Sequence, residues 1–326
     1  MEVISLSNAE FEGENSVYLL RGNDSVALID TAIETPETER RLREQLAEYG
    51  VALSEIDSIV VTHWHQDHAG LAGVLQRESN ATVYVHEADA PLVAQEDGPT
   101  DALFERQRQQ FTSWGIPEDR RAALLDRLAG TAATTTVAPS VTPVADGDQL
   151  TVAGTELTVI HAPGHTAGQC CFAFTAEDGS TQAFVGDAIL GQYTPNVGGA
   201  DVRVEHPLDQ YLATLSRIID QEFAVAWPGH RDAITVPSDR ARTIYEHHVE
   251  RATRVATVVA EHGPMNAWEV SAELFGSLEG IHVMHGPGEA YSHLDHLARH
   301  GRLSESDGVY QFDSDGPAVK ELFSIP

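Results

Sequence analysis

The segment that most constrains this chain is His63-Trp64-His65-Gln66-Asp67-His68, which follows directly on the apolar run Ile56-Asp57-Ser58-Ile59-Val60-Val61-Thr62. The run reads as a strand, and the rigid end of a strand can aim several side chains of the following loop at one point. A lone His is ordinarily a surface residue or a satisfied core residue. Four ligand-type side chains within six residues are poorly explained that way. Imidazole nitrogen and carboxylate oxygen together suit zinc or a similar divalent first-row ion. The segment therefore predicts a metal site at a strand edge.

Charge narrows the partners. The 326 residues carry 50 Asp and Glu against 20 Lys and Arg, a net charge of −30. Proteins that grip a phosphate backbone do so with clustered basic side chains, and anionic membrane surfaces attract basic segments too. Both classes are disfavoured. Hydrophobic residues at 42% supply a core, which sets the chain apart from acidic disordered tails. Lys320 is the sole lysine. Acidic excess with almost no Lys is the pattern of a protein kept soluble in molar salt, where carboxylates keep the surface hydrated. Cys170 and Cys171 are adjacent, in the apolar stretch Cys170-Cys171-Phe172-Ala173-Phe174, and read as buried strand residues, not as a disulfide framework. There is no basic-then-apolar leader and no apolar run near 20 residues, so the expectation is a soluble, cytoplasmic protein.

Along the chain, residues 15–31 read as a hairpin around Gly22-Asn23-Asp24, ending in Ala27-Leu28-Ile29-Asp30. Residues 36–49 read as a helix stopped by Gly50. Residues 66–78 look like one helix, 81–85 a strand, 101–129 a helical insertion, and 132–136 a short Ala/Thr loop. Short strands alternate with Gly-containing turns from 144 to 185, followed by a helix over 207–222 and a strand over 224–227. The character changes near residue 238. Helical periodicity over 239–262, 265–276 and 287–300, then a hairpin over 301–312, is the outline of a winged-helix module. The division is therefore a domain of residues 1–238 and a smaller one of residues 239–326. Residues 281–288 read as an irregular connection.

Three further strand-end motifs accompany the His cluster. They are Ala162-Pro163-Gly164-His165-Thr166-Ala167-Gly168, Gly186-Asp187 after Ala183-Phe184-Val185, and Pro228-Gly229-His230. Pro-Gly turns the chain sharply just before a candidate ligand, and Gly186 would let the backbone approach the site closely. The four motifs in this order resemble those of the metallo-β-lactamase superfamily, over about residues 10–235, and Asp30 resembles its early structural Asp. The resemblance implies an α/β fold, an αββα sandwich of two mixed sheets with helices outside, here with a small C-terminal helical domain. It implies that His63, His65 and His165 hold one metal, that Asp67, His68 and His230 hold a second, and that Asp187 bridges them. Two Zn2+ per chain are expected, with Fe or Mn as alternatives. Such a centre binds water and lowers its pKa from 15.7 to about 7. The hydroxide would attack an electrophilic centre, with Asp67 orienting it as the one catalytic side chain beyond metal binding.

The complete ligand set discriminates among relatives. Antibiotic-cleaving zinc β-lactamases generally lack the bridging Asp, so Asp187 argues against that role. Two branches remain. One resembles hydroxyacylglutathione hydrolase (glyoxalase II), a thioesterase. The other resembles the lactamase-like family with a C-terminal winged helix, some members of which cut single-stranded RNA. Residues 239–326 carry 14 acidic and 7 basic side chains, whereas a groove-reading winged helix is normally basic. The reading is a hydrolase of a small ester or thioester, with a small molecule as partner. The alternatives are a single-strand endoribonuclease and a lactonase or other hydrolase of this fold. Oligomeric state is left open.

Among the other candidates, Tyr193 could donate a hydrogen bond to a substrate oxygen, and the loop holding His282 and His285 could touch substrate if the C-terminal module covers the cleft. With lysine absent elsewhere, Arg203 is the nearest substitute by sequence order for a cationic clamp. His86, His206, His247, His248, His262 and His300 read as solvated or packing residues, and His293 and His296 as surface or packing residues on one helix face.

Overall fold

The computed structural model describes residues 1–7, 13–132 and 136–324. Residues 133–135, in the stretch read as an Ala/Thr loop, lie outside the described residues, while Ala132 still belongs to a helix.

The first sheet has the order β1-β2-β3-β4-β5-β6, made of β1 (Glu2–Ser7), β2 (Glu14–Arg21), β3 (Val26–Ile29), β4 (Ile56–Val60), β5 (Thr82–His86) and β6 (Val141–Val144). The expected hairpin forms, with β2 and β3 antiparallel and Leu19 opposite Leu28. From β3 to β6 the strands are parallel, so each needs a crossover. These are α1 (Pro36–Glu48), then α2 (Gln66–Ala69) with α3 (Ala72–Ser79), then the insertion α4 (Ala90–Val93), α5 (Asp97–Ser113) and α6 (Glu118–Ala132). The single helix expected over 66–78 is broken at Gly70-Leu71. A Cβ on Gly70 would lie 2.6 Å from Glu34 N and 2.9 Å from Ala32 O, so the chain turns where it touches the loop after β3.

The second sheet has the order β11-β10-β9-β8-β7. It comprises β7 (Gln149–Val152), β8 (Thr155–His161), β9 (Cys170–Thr175), β10 (Thr181–Gly186) and β11 (Val225–Pro228), with α7 (Pro207–Asp220) crossing from β10 to β11. β8 and β10 are both antiparallel to β9, and β11 is parallel to β10. Hence β8, β10 and β11 end at the same edge.

Period-two alternation builds the layers. Tyr18, Leu20, Ile29 and Val60 of the first sheet pack against Val159, Cys170, Phe172 and Phe184 of the second. Their sequence neighbours Leu19, Leu28 and Ile59 face outward onto α1 and α3, through Leu42, Leu46 and Leu75. Cys171, Ala183 and Val185 face outward onto α7 and the C-terminal helices. The αββα sandwich follows. The paired cysteines are buried and free, as their strand reading requires, and they serve opposite faces of one strand.

The C-terminal region consists of α8 (Pro237–His262), α9 (Ala267–Phe275), α10 (His282–Arg299) and the hairpin β12 (Leu303–Ser306) and β13 (Val309–Phe312). Tyr211 and Leu215 of α7, Val255 of α8, Val270 of α9 and Leu294 of α10 belong to one apolar cluster. The stretch read as an irregular connection instead starts α10, with Pro287 inside its second turn. Proline inside a helix forfeits one i→i−4 hydrogen bond, but this turn is buried against the rest of the molecule, which overrides its Gly-Pro composition. Among the described residues no helix is long and apolar enough to cross a membrane.

Candidate metal centre

All seven side chains singled out in the sequence meet at the edge where β4, β8, β10 and β11 end. Three overlapping groups bring ligand atoms within reach of a single ion: His63, His65 and His165; His63, His68 and Asp187; and Asp67, His68 and His230. His65 Nδ1 lies 3.0 Å from His63 Nε2 and 3.1 Å from His165 Nε2. Asp187 faces both sides, with its oxygens 3.6 Å from His165 Nε2, 3.6 Å from His68 Nε2 and 3.4 Å from His230 Nε2. Asp67 Oδ2 lies 3.5 Å from His230 Nε2.

The outer partners of the five imidazoles show that these are converging lone pairs. His65 Nε2 donates to Ala200 O at 3.1 Å, and His165 Nδ1 to Asn196 O at 3.0 Å. His230 Nδ1 donates to Glu14 O at 2.9 Å, and His68 Nδ1 to Asp30 Oδ2 at 2.9 Å. Thr62 Oγ1 already donates to Asp30 Oδ2, so it accepts from His63 Nδ1 at 3.1 Å. Every ring is thus fixed in one tautomer by its outer nitrogen, as metal-ligating imidazoles are. The inner nitrogens of His63, His65 and His165 then face each other bare, an arrangement that repels unless a cation lies between them. His68 Nε2 and Asp187 Oδ1 are buried without a hydrogen-bond partner. The donor set fits divalent metal.

Electrostatics agree. Burial, and then the neighbouring imidazoles, drive His63 well below the ordinary histidine range and His65 down to about 4. Burial would also lower His68, but Asp67, Asp187 and Asp30 outweigh it and push the ring up to about 10. Burial would raise Asp187, yet His230 and His68 hold it well below the usual carboxylate range. In short, where carboxylates dominate the centre retains protons, and a bound divalent ion takes over that charge.

Asp30 has the structural part expected of it. Its Oδ1 accepts from Thr62 N at 2.7 Å, and its backbone sits at φ +60°, a strained conformation held by the site. Gly229, not Gly186, makes the close approach to the ligands. A Cβ on Gly229 would overlap His68 Cε1 and lie 2.6 Å from Asp187 Oδ1, whereas one on Gly186 would meet Thr62 Oγ1.

Arg203 is not a substrate clamp. Its guanidinium donates at 2.6 Å to Asp89 Oδ1 and at 2.6 Å to Asp201 Oδ2. Both carboxylates are buried. Asp89 Oδ2 accepts from Trp64 N at 3.1 Å and Thr166 Oγ1 at 3.0 Å, and Asp201 Oδ2 from Ala167 N at 3.0 Å. The network ties the His63–His68 loop to the His165 loop. Acidic residues scattered over more than 100 positions gave no signal for it.

The centre opens into a cavity of about 870 Å3. Tyr193 lines it, 45% exposed, with the Arg231 guanidinium 5.1 Å from its ring centroid. His282 and His285 line it as well, from the first turn of α10. Among the histidines read as solvated or packing, His206 pairs with Asp295 at 3.0 Å and His86 stacks on His161. His293 and His296 are both buried.

The chain belongs to the metallo-beta-lactamase superfamily, whose family model matches residues 11–230. It is therefore a hydrolase of a superfamily whose fold implies divalent-metal binding. It is 29% identical to the probable metallo-hydrolase YqjP of Bacillus subtilis, covering 87% of this chain and 88% of that one. It is 24% identical to the thioesterase pkgB of Emericella nidulans, over 78% of this chain and 56% of that one. Among solved structures, a metallo-beta-lactamase family protein from Thermus thermophilus superposes with a TM-score of 0.81 at 28% identity, covering 96% of this chain and 98% of that one.

Proposed function

We propose that this chain is a dinuclear zinc hydrolase acting on a small ester or thioester. The observation that carries the reading is the convergence of five tautomer-fixed imidazoles and the carboxylates Asp67 and Asp187 on one centre. His63, His65 and His165 would hold one ion, Asp67, His68 and His230 the other, with Asp187 shared between them. Bound there, the two ions supply Lewis acidity and a water acidic enough to serve as nucleophile near neutral pH. Asp67 is held by Asn15 Nδ2, which donates to its Oδ2 at 3.3 Å, so its carboxylate is positioned to orient the nucleophile.

The choice of substrate rests on the cavity and on one relative. Apart from the imidazoles and the candidate metal ligands Asp67 and Asp187, its lining offers two cations, Arg127 and Arg231, against Asp97 and Asp101. That balance suits an uncharged acyl group better than a chain of phosphates. The relative named a thioesterase supports the same choice. The deciding experiment is metal analysis together with turnover of an ester, thioester, lactone and phosphodiester panel, run in high as well as moderate salt. Ester or thioester cleavage that disappears on metal removal is the expected result. Undiminished cleavage by metal-free protein, or cleavage of single-stranded RNA alone, overturns the reading.

A further inference from the structure

We propose that the acyl part of the substrate is a sizeable apolar chain, seated in a lobe that the helical insertion and α10 build beside the metal centre. The proposal rests on the ester or thioester reading and adds the substrate class to it. Three observations carry it. First, the cavity of about 870 Å3 is large for a site whose ligand would be an acetyl or hydroxyacyl group.

Second, the insertion and α10 gather several large apolar side chains on one side of the cavity. Leu92 of α4, Leu103 and Phe104 of α5, Leu128 of α6 and Met284 of α10 all line the cavity. Leu103 and Met284 belong to the apolar cluster that backs the second sheet, and Leu92, Leu128 and Trp64 pack against that cluster. The charged residues on this side, Asp97, Asp101 and Arg127, also line the cavity and are exposed. Most of this wall comes from α4–α6, a crossover between β5 and β6 longer than one parallel pairing requires.

Third, Trp64 joins the wall to the centre. It lies between His63 and His65 in sequence and is held rigidly: its N–H donates to Asp89, its indole Nε1 donates to Asp201 Oδ2 at 3.3 Å, and the Arg203 guanidinium sits 5.5 Å from its ring. An acyl chain lying along this indole would place its carbonyl carbon beside His65 and Asp67. Apolar surface of this extent, opening directly at a polar centre, is what a substrate with a reactive head and an apolar tail requires.

The test is a series of straight-chain acyl thioesters from acetyl to decanoyl, with the matching non-hydrolysable thioethers as binding probes measured by calorimetry on the metal-loaded, full-length protein. Each buried methylene should raise kcat/KM, and tighten the thioether, about fourfold until the lobe is filled. Phe104→Asp should lower the decanoyl-to-acetyl ratio in both readouts. Equal turnover and equal binding along the series overturn the lobe while leaving the esterase reading intact. Chain-dependent thioether binding without cleavage of any thioester or of the matching oxygen esters upholds the lobe and overturns the ester-or-thioester reading. Absence of both turnover and binding overturns the two together.

Discussion

The two halves of the metal centre are anchored by different parts of the chain. Asp67, His68 and His230 are fixed from the first sheet, through Asn15 and the Glu14 carbonyl of β2 and through Asp30 just after β3. His65 and His165 are fixed from elsewhere, by the carbonyls of Ala200 and Asn196 in the loop between β10 and α7. That loop lies on α10. Asn196 Nδ2 donates to His285 O at 3.2 Å, and Val197 N to Glu289 Oε2 at 3.3 Å. A Cβ on Gly198 would sit 2.6 Å from Gly288 O, and one on Gly288 would overlap the Gly199 backbone. The difference shows that α10 supports the loop that orients His65 and His165, while Asp67, His68 and His230 are oriented from the sandwich. This region therefore has a role in the centre that needs no nucleic acid.

The largest effect should come from the shared residue. Asp187→Ala removes the carboxylate facing both halves, and kcat/KM should fall by more than about 100-fold, since outer-shell changes alone typically cost 10- to 100-fold. Retained fold by circular dichroism with lost activity is the expected pair of results. Next, Gly288→Val should push the 196–200 loop off α10 and weaken metal binding at the His63, His65 and His165 half by about 10- to 100-fold, sparing the other half. Asn15→Ala, which removes the amide that holds Asp67, should do the reverse. Chelator competition with metal counting separates them, and loss of both proposed ions together in either variant would break the division.

The inner ligands were legible in the sequence because each sits directly after an apolar strand, where alternation gives way to His, Asp and Gly. Asp30 and the hairpin before it were legible for the same reason. The outer partners were not. Three of them are backbone carbonyls, of Glu14, Asn196 and Ala200, and a carbonyl carries no residue identity. The His230–Glu14 contact also spans 216 positions. Gly198, Gly199 and Gly288 carry no side chain to signal a contact, yet they allow a loop and a helix to touch backbone to backbone. Pro287 likewise suggested a connection where packing against that loop sustains a helix. Arg203 was visible as a cation, but its two buried carboxylate partners were not, so its part in the network came only from the fold.

A smaller effect should distinguish the halves by pH. Burial pushes Glu289 up to about 7, against the pull of Arg251 and the Val197 N–H. A carboxyl raised in the folded state from 4.5 keeps its proton there while the unfolded chain has lost it. Stability from this group is therefore greatest at acid pH and falls as pH rises from about 4.5 to about 7. Above 7 the folded protein carries the full cost, up to about 3 kcal/mol. Glu289→Gln should melt like wild type near pH 5 and at higher temperature near pH 8, by scanning calorimetry. Equal melting temperatures at both values would show that Glu289 is not strained by its burial.

The smallest effect concerns the other end of α10. Asp209 of α7 accepts from His296 Nδ1 at 2.8 Å, His300 Nε2 at 3.1 Å and Arg299 Nη1 at 2.6 Å. Burial would raise its carboxyl, but the two imidazoles outweigh this and hold it below the usual carboxylate range. The contribution is thus present above the unfolded value of 3.8 and lost as pH falls through the lower folded value. Asp209→Asn should destabilise by about 1 kcal/mol, or roughly 2 °C in Tm near neutral pH. Because α10 also rests on a broad apolar cluster, its Gly288 end should stay seated, and metal affinity at both halves should be unchanged. A selective fall at the His63, His65 and His165 half would mean that α10 acts as one rigid lever, with its distant ion pairs setting ligand geometry as much as its glycine contact does.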